Sequence, residues 1–320
     1  MTLFDIILII VIVIATLNWW PSRFWLFEIS GYFSQQIFFL LILFSLLRLI
    51  VPEPLGLISW IIILSALMLA LIHLARIYPF TFLAGKDVDD ADPEAEGHRI
   101  SFIIANIYQY NRDYPRFVRL VEDHPVDILV LLETDSKWTG YLSEHLDDKR
   151  FPYQILKPQD DTYGLAIYSH LPITEAKVEE ITDVPSVEAR IEDRSGDGIS
   201  LFVVHPKPPV PMEAETSWPK DRELLGVAQQ IESAVDEKII VTGDLNEVAW
   251  SRTSTRFLDK SGLRDPRKGR SILNTFPAYL PIMGFPLDHF YCSKHFKIIE
   301  YRRLRNIGSD HFPLLISFLY

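Results

Sequence analysis

Apolar and polar positions divide the chain near residue 85. Three apolar runs come first: Ile6–Leu17, then Tyr32–Val51 with Gln35, Gln36 and Arg48 near its ends, then Leu55–Ile72 without a charge. A helix needs about 20 apolar residues to span a bilayer. The third run meets that length directly. The second meets it with Arg48 snorkelling to the interface, and the first only by borrowing Leu3, Phe4, Trp19 and Trp20. No amphipathic stripe of the kind a soluble bundle shows is visible. The pattern predicts a transmembrane region over residues 1–84, with three spans at about 3–20, 32–51 and 55–76. Trp19, Trp20, Trp25 and Trp60 suit the headgroup layer. The first run has no basic leader and no small-residue cleavage site, so it reads as retained. Arg23, Arg76 and Lys86 on one side, against Arg48 on the other, lean towards a cytoplasmic globular part on a multi-pass integral membrane protein.

Beyond the runs, residues 85–98 (GKDVDDADPEAEGH) hold six acids and one lysine with no apolar period, which predicts a solvated, self-repelling linker. Residues 99–320 alternate short segments rich in Ile, Val and Phe with Pro, Gly, Asp and Ser. Strands are expected at Ile100–Ile107, Asp127–Leu132, Gly164–Ser169, Val187–Ile191, Ile199–Val204, Lys238–Thr242, Leu287–Tyr291 and Leu314–Phe318. Helices are expected at Pro115–Glu122, Lys220–Val235 and Ser254–Lys260. Many strands with a few helices between them predict two packed sheets with helices on their outer faces.

Composition sharpens this picture. The 320 residues carry a net charge of −11, and the first 86 contribute almost nothing to it. A mean hydropathy of +0.13 reflects the apolar leader. Disorder, collagen and coiled coil are excluded by composition. A single cysteine, Cys292, excludes an internal disulfide framework.

Most strands end in polar residues. Asn106, Glu133, His205, Asp244 with Asn246, Asp288 and Asp310 with His311 follow or open expected strands. Each alone also fits a turn. Together they are carboxylate, amide and imidazole groups that one end of a sandwich would gather. Glu133, Asp310 and the Asn106 amide oxygen are hard donors suited to Mg²⁺ or Mn²⁺ rather than zinc. Two imidazoles could donate to phosphoryl oxygens, and Asp244 could position or deprotonate a water. That inventory suits metal-assisted phosphoester hydrolysis.

Gly243-Asp244-Leu245-Asn246, followed some sixty residues on by Ser309-Asp310-His311-Phe312-Pro313, with Glu133 at a strand end upstream, resembles the endonuclease/exonuclease/phosphatase superfamily of DNase I-like proteins. Ala105-Asn106, Tyr163–Ile173 and Leu287-Asp288-His289 support the likeness, which covers residues 99–320 in the family's order. The resemblance implies an α+β fold, a four-layer α/β sandwich with its site at one end. It implies Glu133 as the main Mg²⁺ ligand with Asn106 and Asp310 beside the metal, and Asp244 on the attacking water. Asn246 and His205 would contact the phosphoryl group, and His311, oriented by Asp288, would hydrogen-bond it. Repair nucleases of this group carry an aspartate where this chain has Tyr108, which weakens a repair-type reading.

Nucleic-acid binding calls for a basic stripe, which an acidic domain does not supply. The sequence therefore points to a membrane-anchored phosphoesterase acting on a lipid or other small phosphoester. A nuclease at the membrane and a non-catalytic tethered binding module are the alternatives. Arg264–Arg270 and Arg302–Arg305 are the local basic clusters that could flank a phosphorylated substrate.

Overall fold

The computed structural model describes residues 2–92, 94–234 and 236–320. Val235, expected to close a helix, and Pro93 of the linker lie outside the described residues.

The chain opens with helices α1 (Leu3–Thr16), α2 (Trp25–Ser30), α3 (Ser34–Ile50) and α4 (Leu57–Ile77). Leu8, Ile37, Leu41, Ile63 and Ala66 form the seam of α1, α3 and α4, while Ile10, Leu46, Ile61 and Leu71 point outward. With its following turn, α4 is a 24-residue apolar rod, Leu57–Phe80, about 36 Å long at 1.5 Å per residue. By contrast α1 has 14 residues and α3 has 17, about 21 and 26 Å, short of a ~30 Å hydrocarbon core. The expectation of three spans is corrected: among the described residues one helix is long and apolar enough to cross a membrane. Nor does Arg48 snorkel outward. Its Nε donates to Asp5 Oδ1 at 2.9 Å and its Nη2 to Ser59 Oγ at 3.1 Å, with both charges buried. Pairing is what makes two charges tolerable among apolar helices.

Within residues 85–98, expected to form a solvated linker, the stretch 87–91 instead docks. Val88 is fully buried. Ile298 donates its amide to Asp89 O and accepts from Ala91 N, both at 2.8 Å. Asp87 accepts from the Asp265 amide at 3.0 Å, and Asp90 pairs with Arg270. Asp87 and Asp90 are thus drawn onto the basic segment 264–270, while Asp89, Asp92, Glu94 and Glu96 are exposed as expected.

The rest folds as β1 (Arg99–Asn106), α5 (Tyr114–Asp123), β2 (Ile128–Leu132), α6 (Ser136–His145), β3 (Tyr153–Lys157), β4 (Leu165–Ser169), β5 (Ile173–Glu179), β6 (Ser186–Glu192), β7 (Gly198–Val203), α7 (Trp218–Glu232), β8 (Ile239–Asp244), α8 (Arg252–Ser261), β9 (Asp288–Cys292), β10 (Lys297–Arg303) and β11 (Leu314–Leu319). One mixed sheet runs β10-β11-β1-β2-β4-β3 and the other β5-β6-β7-β8-β9. Phe102, Ile104, Val130 and Ile316 of the first meet Ala189, Leu201, Ile240 and Phe290 of the second in the central core. Helices α5 and α6 cover the outer face of the first sheet through Phe117, Leu120, Trp138 and Leu142. Helices α7 and α8 cover the second through Leu224, Val227 and Phe257. The result is the expected sandwich of two sheets flanked by helices. All eight expected strands form, and β3, β5 and β10 are additional.

A close backbone approach fixes one loop. A Cβ on Gly164 would lie 1.9 Å from Thr134 O and 2.5 Å from Gln159 N, where backbone cannot yield. Gly140, on α6, faces open space. In urea unfolding, Gly164→Ala is expected to lose roughly 1–3 kcal/mol or more, whereas Gly140→Ala should gain about 0.5–1 kcal/mol. Equal effects from the two would contradict this packing.

Candidate active site

Strand direction gathers the polar residues. β1 runs parallel to β2, and β7 parallel to β8, so their C-terminal ends deliver Asn106, Glu133, His205 and Asp244 to one end of the sandwich. β9 and β11 run antiparallel to their neighbours, so their beginnings bring Asp288 and Asp310-His311 to that same end. Asp244 and Asp288 are direct cross-strand partners. Glu133 and Asn246 adopt positive φ of 61° and 48°, a turn that lifts each side chain off the strand line at the cost of about 1–2 kcal/mol of backbone strain. At Gly243 a Cβ would fall 1.8 Å from Val204 O, so only glycine lets β8 approach β7 there.

The side chains interlock. Asn106 Nδ2 donates to Glu133 Oε1 at 2.8 Å and to Asp244 Oδ2 at 3.1 Å, bridging two carboxylates from different sheets. Its Oδ1 accepts from the Tyr108 amide at 3.1 Å. Glu133 Oε2 accepts from the Gln109 amide at 3.2 Å. Asp244 Oδ1 accepts from the Asn246 amide at 2.9 Å, and Asn246 Nδ2 donates to Pro206 O at 2.9 Å. His311 Nδ1 lies 2.8 Å from Asp288 Oδ2, and its Nε2 3.5 Å from Asp244 Oδ2. His205 Nε2 stands 3.9 Å from the same oxygen, while its Nδ1 is buried without a partner. Ser309 Oγ donates to Asn106 O at 2.7 Å and accepts from the His311 amide, tying the last loop to β1.

Burial sets the electrostatics. It pushes the Glu133 carboxyl up to about 7, against the Asn106 hydrogen bond and the positive His311 that hold it down. Burial also raises Asp244, with His311 opposing. Burial alone would lower His311, but Asp288 and Asp244 raise it to about 10, so it is an imidazolium at neutral pH. Burial lowers His205 despite the nearby Asp244, which leaves it neutral.

This donor set fits a divalent cation of the hard class. Glu133 is a half-buried carboxylate with no lysine or arginine salt bridge among the described residues, and the nearby Asp310 adds further negative charge. Asp244, Asp288 and His311 also present ligand atoms within 4.8 Å of one another. The last of these is protonated and held by Asp288, so it donates rather than ligates. The free carboxylate capacity therefore lies on the Glu133 side.

All eight site residues expected from the sequence meet at this end. His289, read as structural or as a rim residue, is buried behind the site. Its Nε2 lies 2.7 Å from Glu247 O, and its Nδ1 2.6 Å from Arg267 Nη2. Within the basic segment 264–270, Arg267 turns inward and forks onto Asp265 at 2.7 and 3.0 Å.

A group that sequence reasoning missed supports the site from behind. Tyr32, just before α3, donates its hydroxyl to Asn246 O at 2.6 Å and accepts from Lys220 Nζ at 3.1 Å. Lys220 is fully buried and paired with Glu247. Trp250 Nε1 donates to Gly31 O at 3.0 Å. The N-terminal segment is therefore hydrogen-bonded to the backbone of the Asp244–Trp250 loop. Two hundred residues of separation hid this contact; the only sequence sign was a tyrosine among apolar residues and a lysine on the inner face of α7.

The sequence profile described as the Endonuclease/Exonuclease/phosphatase family matches residues 103–311. Solved structures share the fold at low identity. A humanized TDP2 from D. rerio superposes with a TM-score of 0.57 at 15% identity, covering 69% of this chain and 99% of its own. A family protein from Bacteroides thetaiotaomicron gives 0.57 at 16%, covering 71% and 99%. A mannosyl-6-phosphatase from the same organism gives 0.54 at 16%, covering 69% and 100%. No curated protein sequence matches the chain.

Tyr32→Phe removes a buried hydrogen bond and leaves both the Asn246 carbonyl and Lys220 short of a partner. A loss of about 1–3 kcal/mol is expected, together with faster hydrogen exchange at the Asn246 amide. Exchange unchanged at that amide would show that Tyr32 does not brace the loop.

Proposed function

The chain belongs to the endonuclease/exonuclease/phosphatase family, whose members hydrolyse phosphoester bonds, and on that premise we propose that it is a membrane-anchored, divalent-metal-dependent phosphoesterase. Its substrate is a lipid or other small phosphoester, cleaved as a mono- or diester by in-line attack of water. The observation that carries this reading is the Asn106 amide bridging Glu133 and Asp244, with the His311 imidazolium 3.5 Å from Asp244.

Glu133, Asp310 and Asn106 would hold the cation. Asn106 already spends its amide hydrogens on the two carboxylates, so its oxygen is the atom left for that role. Mg²⁺ or Mn²⁺ bound there would supply charge neutralisation at the phosphoryl group. The remaining work falls to the chain's own groups. Asp244, its carboxyl raised by burial, is a stronger base than an exposed aspartate and aligns and deprotonates the attacking water. His311 donates from Nε2 to a phosphoryl oxygen, its ring direction and charge fixed by Asp288. Asn246, pinned through Pro206 O and the Asp244 carboxylate, borders the phosphoryl group. His205 offers a neutral ring to the same group.

Anchoring rests on α4, the helix of spanning length, and on the outward apolar faces of α1 and α3 beside it. Arg23, Arg76 and Lys86 favour the cytoplasmic side. A nuclease reading gains nothing from the basic segment 264–270, because Arg267 is spent on Asp265 and Arg270 on Asp90. A purely binding module would not need the full set of hydrolytic groups.

The test is turnover of a panel of phospholipids, small phosphate esters and DNA by the full-length protein with Mg²⁺ or Mn²⁺. Activity on a lipid or small ester is expected, abolished by EDTA. Asp244→Asn should lower kcat by roughly 10²–10⁴-fold. Equal turnover by wild type and variant, or none on any substrate, would remove the enzyme reading.

A further inference from the structure

A second polar feature lies between the helices and the sandwich. A cavity of about 580 Å³ opens where α3 begins and the α4 rod ends, lined among others by Gln35, Phe80, Phe82, Arg270, Asn274 and Arg303. Arg303 has no carboxylate partner among the described residues. Its Nη1 donates to Asn274 O at 2.7 Å, and its guanidinium stacks 4.2 Å over Phe312, the residue after His311. Asn274 Oδ1 is buried without a hydrogen bond, although its Nδ2 donates to Gln35 at 3.3 Å. A cation without a carboxylate partner therefore lines a cavity large enough for a small headgroup.

The lip of this cavity is apolar and uncovered. Phe82 is 80% exposed and Ile282 86% exposed, with Leu83, Tyr279 and Met283 also exposed nearby. Gln36 Nε2 donates to Gly284 O at 3.3 Å, which fastens the 277–284 loop to the start of α3. The exposed side chains are thus continuous with the outward faces of α3 and α4. Phe80 ends the 24-residue rod, so the cavity stands at the depth where hydrocarbon gives way to headgroups. At that same end Arg76, Arg252 and Arg256 line another cavity, giving a basic face on an acidic domain. A basic face beside an apolar lip complements an anionic leaflet.

We infer that the cavity beside Arg303 binds the headgroup of an anionic phospholipid of the host bilayer, with Phe82 and Ile282 inserted beside its acyl chains. Arg303 contacts the phosphate. The bound lipid seats the 277–284 loop on the membrane. Because Ala278 N donates to Asp310 O at 2.6 Å and Phe276 lies 4.9 Å from the His311 ring, seating that loop also steadies the neighbouring active site. The inference rests on the membrane reading given above.

Cys292 is buried and is the chain's single cysteine, so a fluorophore attached through Ile282→Cys reports on the loop alone. The full-length protein is placed in phosphatidylcholine nanodiscs doped with equal fractions of spin-labelled phosphatidylglycerol or spin-labelled phosphatidylcholine. Quenching by the anionic lipid is expected to exceed that by the zwitterionic one, with local enrichment of roughly fivefold per unpaired cation. Arg303→Gln should level the two, Arg303→Lys should retain most of the preference, and soluble glycerol 3-phosphate should not abolish it. Equal quenching in the parent, a preference unchanged in Arg303→Gln, or displacement by soluble glycerol 3-phosphate at matched concentration would overturn the lipid site. A label at Leu71→Cys on α4 separates the two readings. No quenching there removes the membrane anchor itself, whereas quenching at Leu71 but not at Ile282 removes only this cavity's role.

Discussion

Several carboxylates share one desolvated pocket, and that constraint governs the rest of the site. Glu133, Asp244 and Asp288 come from three strand ends on two sheets, Asp244 and Asp288 almost wholly buried and Glu133 half-buried, with one imidazolium among them. Like charges in low dielectric repel strongly, and burial raises the carboxyls in response. The protein offsets part of this with the Asn106 amide, the Gln109 and Asn246 backbone amides and protonated His311. The remainder calls for positive charge from outside the chain. A divalent cation would meet that demand and would also neutralise an anionic phosphoester beside it, so the crowding of carboxylates and the proposed chemistry have one cause.

The N-terminal helices take part in this arrangement instead of merely trailing from it. Tyr32 and Gly31 are hydrogen-bonded to the loop that carries Asn246, and Pro79 accepts from the Gly269 amide at 2.8 Å. The start of α3 and the end of α4 both grip the domain, and residues 87–91 are laid along it. The N-terminal helices and the domain therefore form one packed unit.

What the sequence revealed follows from burial. The eight expected strands are the central or well-covered ones, in which Ile, Val and Leu run without interruption. β3, β5 and β10 lie at sheet edges, β3 and β5 with mostly exposed and β10 with mixed side chains, so none gives a clear apolar period. α6 buries only Trp138, Thr139 and Leu142, too few for a helical stripe to stand out. The site residues were legible because each sits where an apolar run stops at a polar group. The contacts of Tyr32, Lys220 and Arg48 were not legible, because they join residues far apart in sequence. The apolar leader read as three spans because hydropathy counts residues and cannot see where a helix ends. The acids at 87–90 read as a free tether because their partners in 264–270 lie so far along the chain.

The central claim is that the clustered carboxylates hold a divalent cation with Glu133 as a ligand. Electron paramagnetic resonance of Mn²⁺ titrated into the metal-free, full-length protein measures this without any substrate. The expected result is saturable loss of the free Mn²⁺ signal, reversed by Mg²⁺ and abolished in a folded Glu133→Gln variant. A free signal undiminished by the wild-type protein, or an identical titration for Glu133→Gln, would contradict the account.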